Sequence, residues 1–118
     1  MARTHFSGPL VTADFGSVTQ ITSAATGVTL NTAAGVITTV TQNILAAGEV
    51  QFTVTCSKCK ATDVPNVAVR SGTVGGTTIA SVTAVAEGSF QITLSNEHAA
   101  TAETGVLLIN YVILGANA

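Results

Sequence analysis

Residues 50–56 alternate apolar and polar side chains without a break: Val50, Phe52, Val54 and Cys56 against Gln51, Thr53 and Thr55. A period of two puts one set on one face of an extended strand and the other set on the opposite face. A helix cannot keep that pattern to one side, because its side chains return about every 3.6 residues. Phe90, Ile92 and Leu94 repeat it against Gln91, Thr93 and Ser95, and weaker versions run through residues 17–23, 28–30 and 36–40. β-Branched residues and threonines recur along the chain with glycines between them, and both habits belong to strands. The chain reads as all-β, with sheets that bury one face.

The turns set out an order for those strands. Ala33-Ala34-Gly35 reads as a tight turn between the segments at Val28 and Val36. Gly75-Gly76 suits a two-residue hairpin turn, which needs positive φ, and would join residues 67–74 to 77–86. Glu87-Gly88 would join that strand to residues 89–95, with Val85 opposite Phe90 and Thr83 opposite Ile92. Asp63-Val64-Pro65-Asn66 reads as a loop, since proline has no N–H to give a central ladder. Residues 42–47 are the one helix candidate, and a short one. Many short strands with regular turns favour an antiparallel β-sandwich or a jelly-roll-like small barrel. Residues 1–16 fall outside the pattern: Gly8-Pro9 interrupts any strand, and two of the four phenylalanines, Phe6 and Phe15, lie here. They read either as a frayed terminus or as an extended arm that contacts a neighbour through Phe6, Pro9 and Phe15. A single β-domain, residues 17–118, follows.

The last strand is apolar on both faces. Leu107, Ile109, Tyr111 and Ile113 form one; Val106, Leu108, Val112 and Leu114, interrupted by Asn110, form the other. In a chain of 118 residues the economical cover for the second face is another subunit, through Leu108, Asn110 and Val112. A strand wholly internal to the sandwich is the alternative. Composition points to the subunit. Apolar residues make up 47% of the chain, enough for a core, but charged residues only 8%, against roughly a quarter in soluble domains. A monomer usually stays soluble through a mixed charged surface, so much of this surface is expected to be covered.

The same numbers exclude some functions. A net charge of −2, with Lys58 and Lys60 as the only local cationic pair, lacks the clustered cations that nucleic-acid binding needs. The apolar stretch 106–114 is about half a membrane span, so no membrane partner is expected. The first six residues lack the apolar core of a secretory signal, and the chain reads as made in a cytoplasm and soluble there.

Catalytic chemistry finds little to stand on. His5 lies in the expected arm and His98 in the polar loop Ser95-Asn96-Glu97-His98. No Gly-x-Ser-x-Gly elbow exposes a serine. The carboxylates Asp14, Asp63, Glu49, Glu87, Glu97 and Glu103 all fall at loops, turns or strand starts, where a solvated charge is the default. Cys56-Ser57-Lys58-Cys59 is the one specific-looking motif. A zinc site would need two further ligands, and only His5 and His98 offer themselves; a redox motif would want a helix after it. The flanking lysines would lower the thiol pKa values somewhat. Structural thiols, a local disulfide and a metal pair all stay open, and no catalytic, cofactor or metal site is expected.

From residue 17 to 114 the chain resembles the small β-rich virion proteins of tailed bacteriophages, of the head decoration or cement type. The resemblance rests on Ser17-Val18-Thr19-Gln20, on Thr26-Gly27-Val28-Thr29-Leu30-Asn31 followed by Gly35-Val36-Ile37-Thr38-Thr39, and on Phe52-Thr53-Val54-Thr55. Further on it takes in residues 82–93, Asn96-Glu97-His98-Ala99-Ala100 and the closing Leu108-Ile109-Asn110-Tyr111-Val112-Ile113. It implies a non-enzymatic β-sandwich or jelly roll on the capsid exterior, partnered by the major capsid protein and by itself as a trimer. Cys56 and Cys59 are not typical of that family. A tail-fibre or tail-tip module that binds a host surface is the alternative, although the chain has no Trp and one Tyr for stacking on glycans. A small redox or zinc protein using Cys56 and Cys59 is a second alternative.

Overall fold

In the computed structural model, which describes residues 14–115, the chain is a two-layer β-sandwich. Its strands are β1 (Phe15–Thr19), β2 (Val28–Thr29), β3 (Ala34–Thr41), β4 (Glu49–Thr55), β5 (Val64–Ser71), β6 (Thr78–Ala86), β7 (Ser89–Asn96) and β8 (Val106–Leu114). Sheet A has the order β1-β3-β8-β5 and sheet B the order β2-β4-β7-β6. Strands β1 to β4 alternate between the sheets, so every second one runs the same way. β1 is therefore parallel to β3, and β2 to β4. A parallel pair needs a crossover connection, and here the crossover is the intervening strand in the opposite sheet. The expected antiparallel order is corrected at these two edges and holds elsewhere: β3 and β5 flank β8, and β4 and β6 flank β7, all antiparallel. Both sheets remain open at their edges, so the small-barrel alternative falls.

Two expected hairpins are missing because the chain changes sheet at those points. Ala34 and Gly35 are not a turn but the start of β3 in sheet A, whereas β2 lies in sheet B. β5 and β6 also belong to different sheets, and residues 72–77 cross between the layers with positive φ at Gly72 and Gly75. The third hairpin is present: Glu87-Gly88 joins β6 to β7, and Val85 faces Phe90. A bulge between Val82 and Ala84 sets Val82, not Thr83, opposite Ile92. The Thr83 hydroxyl instead donates to Gln91 Oε1 at 3.0 Å. Pro65 is not in a loop but in β5, the edge strand of sheet A, where a missing N–H costs no central ladder bond. Residues 42–47 form no helix. Ile44 bridges Glu103, the Gly48 amide closes a turn on Leu45, and Ala47 takes φ 58°. β1 begins at Phe15, inside the expected arm; Phe6 and Pro9 lie outside the described residues.

The core is what the period-two segments place between the sheets. Ile37, Leu107 and Ile109 come from sheet A, and Phe52, Val54, Phe90, Ile92 and Leu94 from sheet B, all fully or almost fully buried. Phe90 and Tyr111 meet across the layers with ring centroids 5.4 Å apart at 58°, a tilted contact that aromatic pairs favour.

Gly72 (φ 106°) and Gly88 (φ 85°) both hold left-handed backbone, which costs an alanine about 1–2 kcal/mol. At Gly88 an added Cβ meets open space, whereas at Gly72 it strikes the Val106 carbonyl oxygen. Gly88→Ala should lose about the conformational cost in chemical denaturation, and Gly72→Ala clearly more. Equal losses would contradict this packing.

Candidate functional site

One end of the sandwich is organised by two buried polar side chains. Glu103, fully buried, accepts hydrogen bonds from Thr78 Oγ1 at 2.7 Å, the Val74 amide at 2.7 Å and the Gly105 amide at 3.0 Å. Asn96, 1% exposed, donates to the carbonyls of Ile44, Leu45 and Thr101 and accepts from the amides of Thr77 and His98. Together they tie the loops at residues 42–48, 72–77 and 97–105 to the ends of β6 and β7. Close packing requires glycine here, since a Cβ at Gly76 would come within 2.8 Å of both Asn96 Oδ1 and Glu103 Cβ. Burial pushes the Glu103 carboxyl pKa up, but its bonds from Thr78 and from the Val74, Gly105 and Thr104 amides more than offset this and hold it below the ordinary value. The expectation of a solvated carboxylate fails for Glu103. Its loop position hid the fact that three other segments fold over it.

His98 belongs to the same end. Its Nδ1 accepts from the backbone amides of Ala100 at 3.1 Å and Thr101 at 3.0 Å, and its carbonyl accepts from Ala47. The ring thus shapes its own loop.

The cysteine pair lies at the opposite ends of β4 and β7. Cys56 and Cys59 are free thiols, both fully buried. The Cys59 amide closes a turn on the Cys56 carbonyl, and both residues bond to the Gly88 backbone. Cys56 Sγ donates to the Thr32 carbonyl at 3.3 Å. The Tyr111 hydroxyl donates to that same carbonyl at 2.8 Å, and burial pushes its pKa up to about 12. The lysines do not lower the Cys59 pKa: burial raises it, and Asp63, Cys56 and Glu87 add to the rise. Lys60 is instead paired with Glu87 at 3.2 Å on the surface. Among the described residues no three His, Cys, Asp or Glu side chains converge as a metal site would require.

The remaining expected residues lie on the outer face of sheet A. Register runs Phe15, Ala34, Val112 and Asn66 in one row across the four strands, and Ser17, Val36, Asn110 and Ala68 in the next. Leu108 is half-buried, Asn110 exposed, and Val112 42% exposed. The strand β8 is therefore not wholly internal: Leu107, Ile109 and Tyr111 fill the core, while the second apolar face has no cover among the described residues. Phe15, expected in the arm, joins this face at 58% exposure. The outer face of sheet B is more polar, carrying Gln51, Thr53, Thr55, Ser81, Gln91 and Thr93, with Glu49 and the 52% exposed Ile79 in one row at its end. Comparison with family models, with curated proteins and with solved structures finds no match.

Two measurements check this geometry. A group whose pKa is lower folded than unfolded adds stability above its unfolded value and loses it as pH falls through the folded value. Glu103 should therefore contribute at neutral pH and fade below its ordinary 4.5. Glu103→Gln is expected to lose about 1–3 kcal/mol at neutral pH, with a flatter fall in stability towards acid. The buried thiols should ignore a thiol reagent in the native protein and both react on unfolding. Rapid native labelling of either would refute their burial.

Proposed function

We propose that this chain is a non-enzymatic structural protein that decorates and stabilises a bacteriophage capsid, with the major capsid protein as its partner and the capsid exterior as its place. One observation carries the reading: the two outer faces carry few charges, Arg70 on sheet A and Glu49 on sheet B, and among the described residues the thiols, one carboxylate and the histidine are tied into the fold. Both thiols are in the core, the Glu103 carboxylate is fully hydrogen-bonded, and His98 spends its Nδ1 lone pair on its own loop. What meets the outside is a hydroxyl- and amide-rich sheet on one side and an apolar sheet on the other. Such a surface suits lasting contact with neutral protein in many copies. The sequence resemblance to head decoration proteins supports the same role.

A protein that binds only the assembled shell stabilises it by mass action, and repeated contacts on one shell reinforce one another. Undecorated heads mixed with the protein should carry it into the pellet on sedimentation. They should also disrupt at a higher temperature than bare heads. If the protein stays in the supernatant and the disruption temperature does not move, the decoration reading is wrong and a tail-fibre or tail-tip module takes its place.

A further inference from the structure

The outer face of sheet A has a geometry that points to its occupant. We propose that it is a contact between two copies of this chain, packed face to face with β8 of one protomer over β8 of the other. This concerns the isolated protein and does not depend on any capsid, so the two readings fail separately.

Charge narrows the choice first. On the outward positions of β1, β3, β5 and β8 the only ionisable side chain is Arg70, at one corner. A charged partner would find nothing to pair with, and its own charges would lose water without return. The face fits a neutral, apolar surface, and a second copy presents that surface without juxtaposing like charges at its centre.

Area is the second constraint. Strands β1, β3, β8 and β5 hold 5, 8, 9 and 8 residues; at roughly 3.3 Å per residue and about 4.8 Å between strands they give a footprint of about 480 Å² per copy. Two such faces bury about 950 Å², the size of a weak, concentration-dependent contact rather than a permanent one. Phe15, Val64, Val112 and Leu114, between 42% and 58% exposed, provide its apolar content.

Polar matching is the third. The Asn110 side chain sits mid-face with no hydrogen-bond partner among the described residues, beside a shallow depression of about 250 Å³ between β5 and β8 where Ala68 faces it. An amide both donates and accepts, so Asn110 and its symmetry mate can satisfy each other across a two-fold axis. A face-to-face contact is isologous. It therefore specifies a dimer, in place of the trimer that the sequence resemblance implies.

Sedimentation velocity of the full chain from micromolar to millimolar concentration tests this. The wild type should form a concentration-dependent dimer. Val112→Glu, and independently Asn110→Lys, should each weaken it by at least about tenfold in dissociation constant, with circular dichroism unchanged. Both positions are already exposed, so either variant serves if the other misfolds. Thr53→Glu, on the outer face of sheet B, should leave the dimer intact. A wild-type monomer throughout, as would follow if residues 1–13 covered the face, overturns the proposal. So does a trimer, or a dimer indifferent to both sheet A substitutions.

Discussion

The structure depends on the burial of two central strands against each other. Leu107, Ile109 and Tyr111 of β8 and Phe90, Ile92 and Leu94 of β7 belong to one buried cluster, joined by Ile37, Phe52 and Val54 from the strands beside them. Each is flanked by antiparallel neighbours on both sides, so its backbone is satisfied laterally while its inward side chains leave water. Fully burying a side chain of this size contributes about 1.5–3 kcal/mol. Charges are too few in this chain to do comparable work, and the one ion pair among the described residues, Lys60 with Glu87, is largely exposed, where such pairs contribute little.

The two ends of the sandwich solve a problem that the core creates. Where strands leave a sheet, backbone groups lose their ladder partners and must find others. At one end Glu103 and Asn96 collect amides and carbonyls from three loops. At the other, the Thr32 carbonyl accepts from Tyr111 and from Cys56, and the backbone of Gly88 bonds to both cysteines. The polar groups are buried because the loops fold over them, and the loops fold over because the polar groups hold them. Glycine at residues 72, 76 and 105 allows the chain to approach closely enough for this.

The asymmetry between the outer faces links fold to function. Sheet B turns threonine, serine and glutamine outward, and Thr83 bonds Gln91 and Thr93 across the strands, so this face needs no partner. Sheet A turns Phe15, Val64, Val112 and Leu114 outward, and contiguous apolar surface of that kind marks an interaction site in soluble proteins. A tied-down interior and one apolar flank are the features on which the proposed contact role rests.

The alternation at residues 50–56 and 90–95 and the two apolar faces of 106–114 were readable from sequence, because side-chain direction in a strand follows position alone. So were the Glu87-Gly88 hairpin and the pairing of Val85 with Phe90, since a tight turn fixes register locally. Sequence alone therefore established that the chain is all-β, which side chains of the alternating strands face inward, and which strand carries a second apolar face. The sheet to which each strand belongs was not legible. Residues 33–35 and 75–76 look like hairpin turns, but the chain crosses between layers there, and only the packing of distant strands selects the layer. Nor did sequence distinguish Glu103 from the solvated carboxylates, or show that Cys59 joins Cys56 in the core. Burial in a loop depends on what else folds over it, and that is a property of tertiary structure.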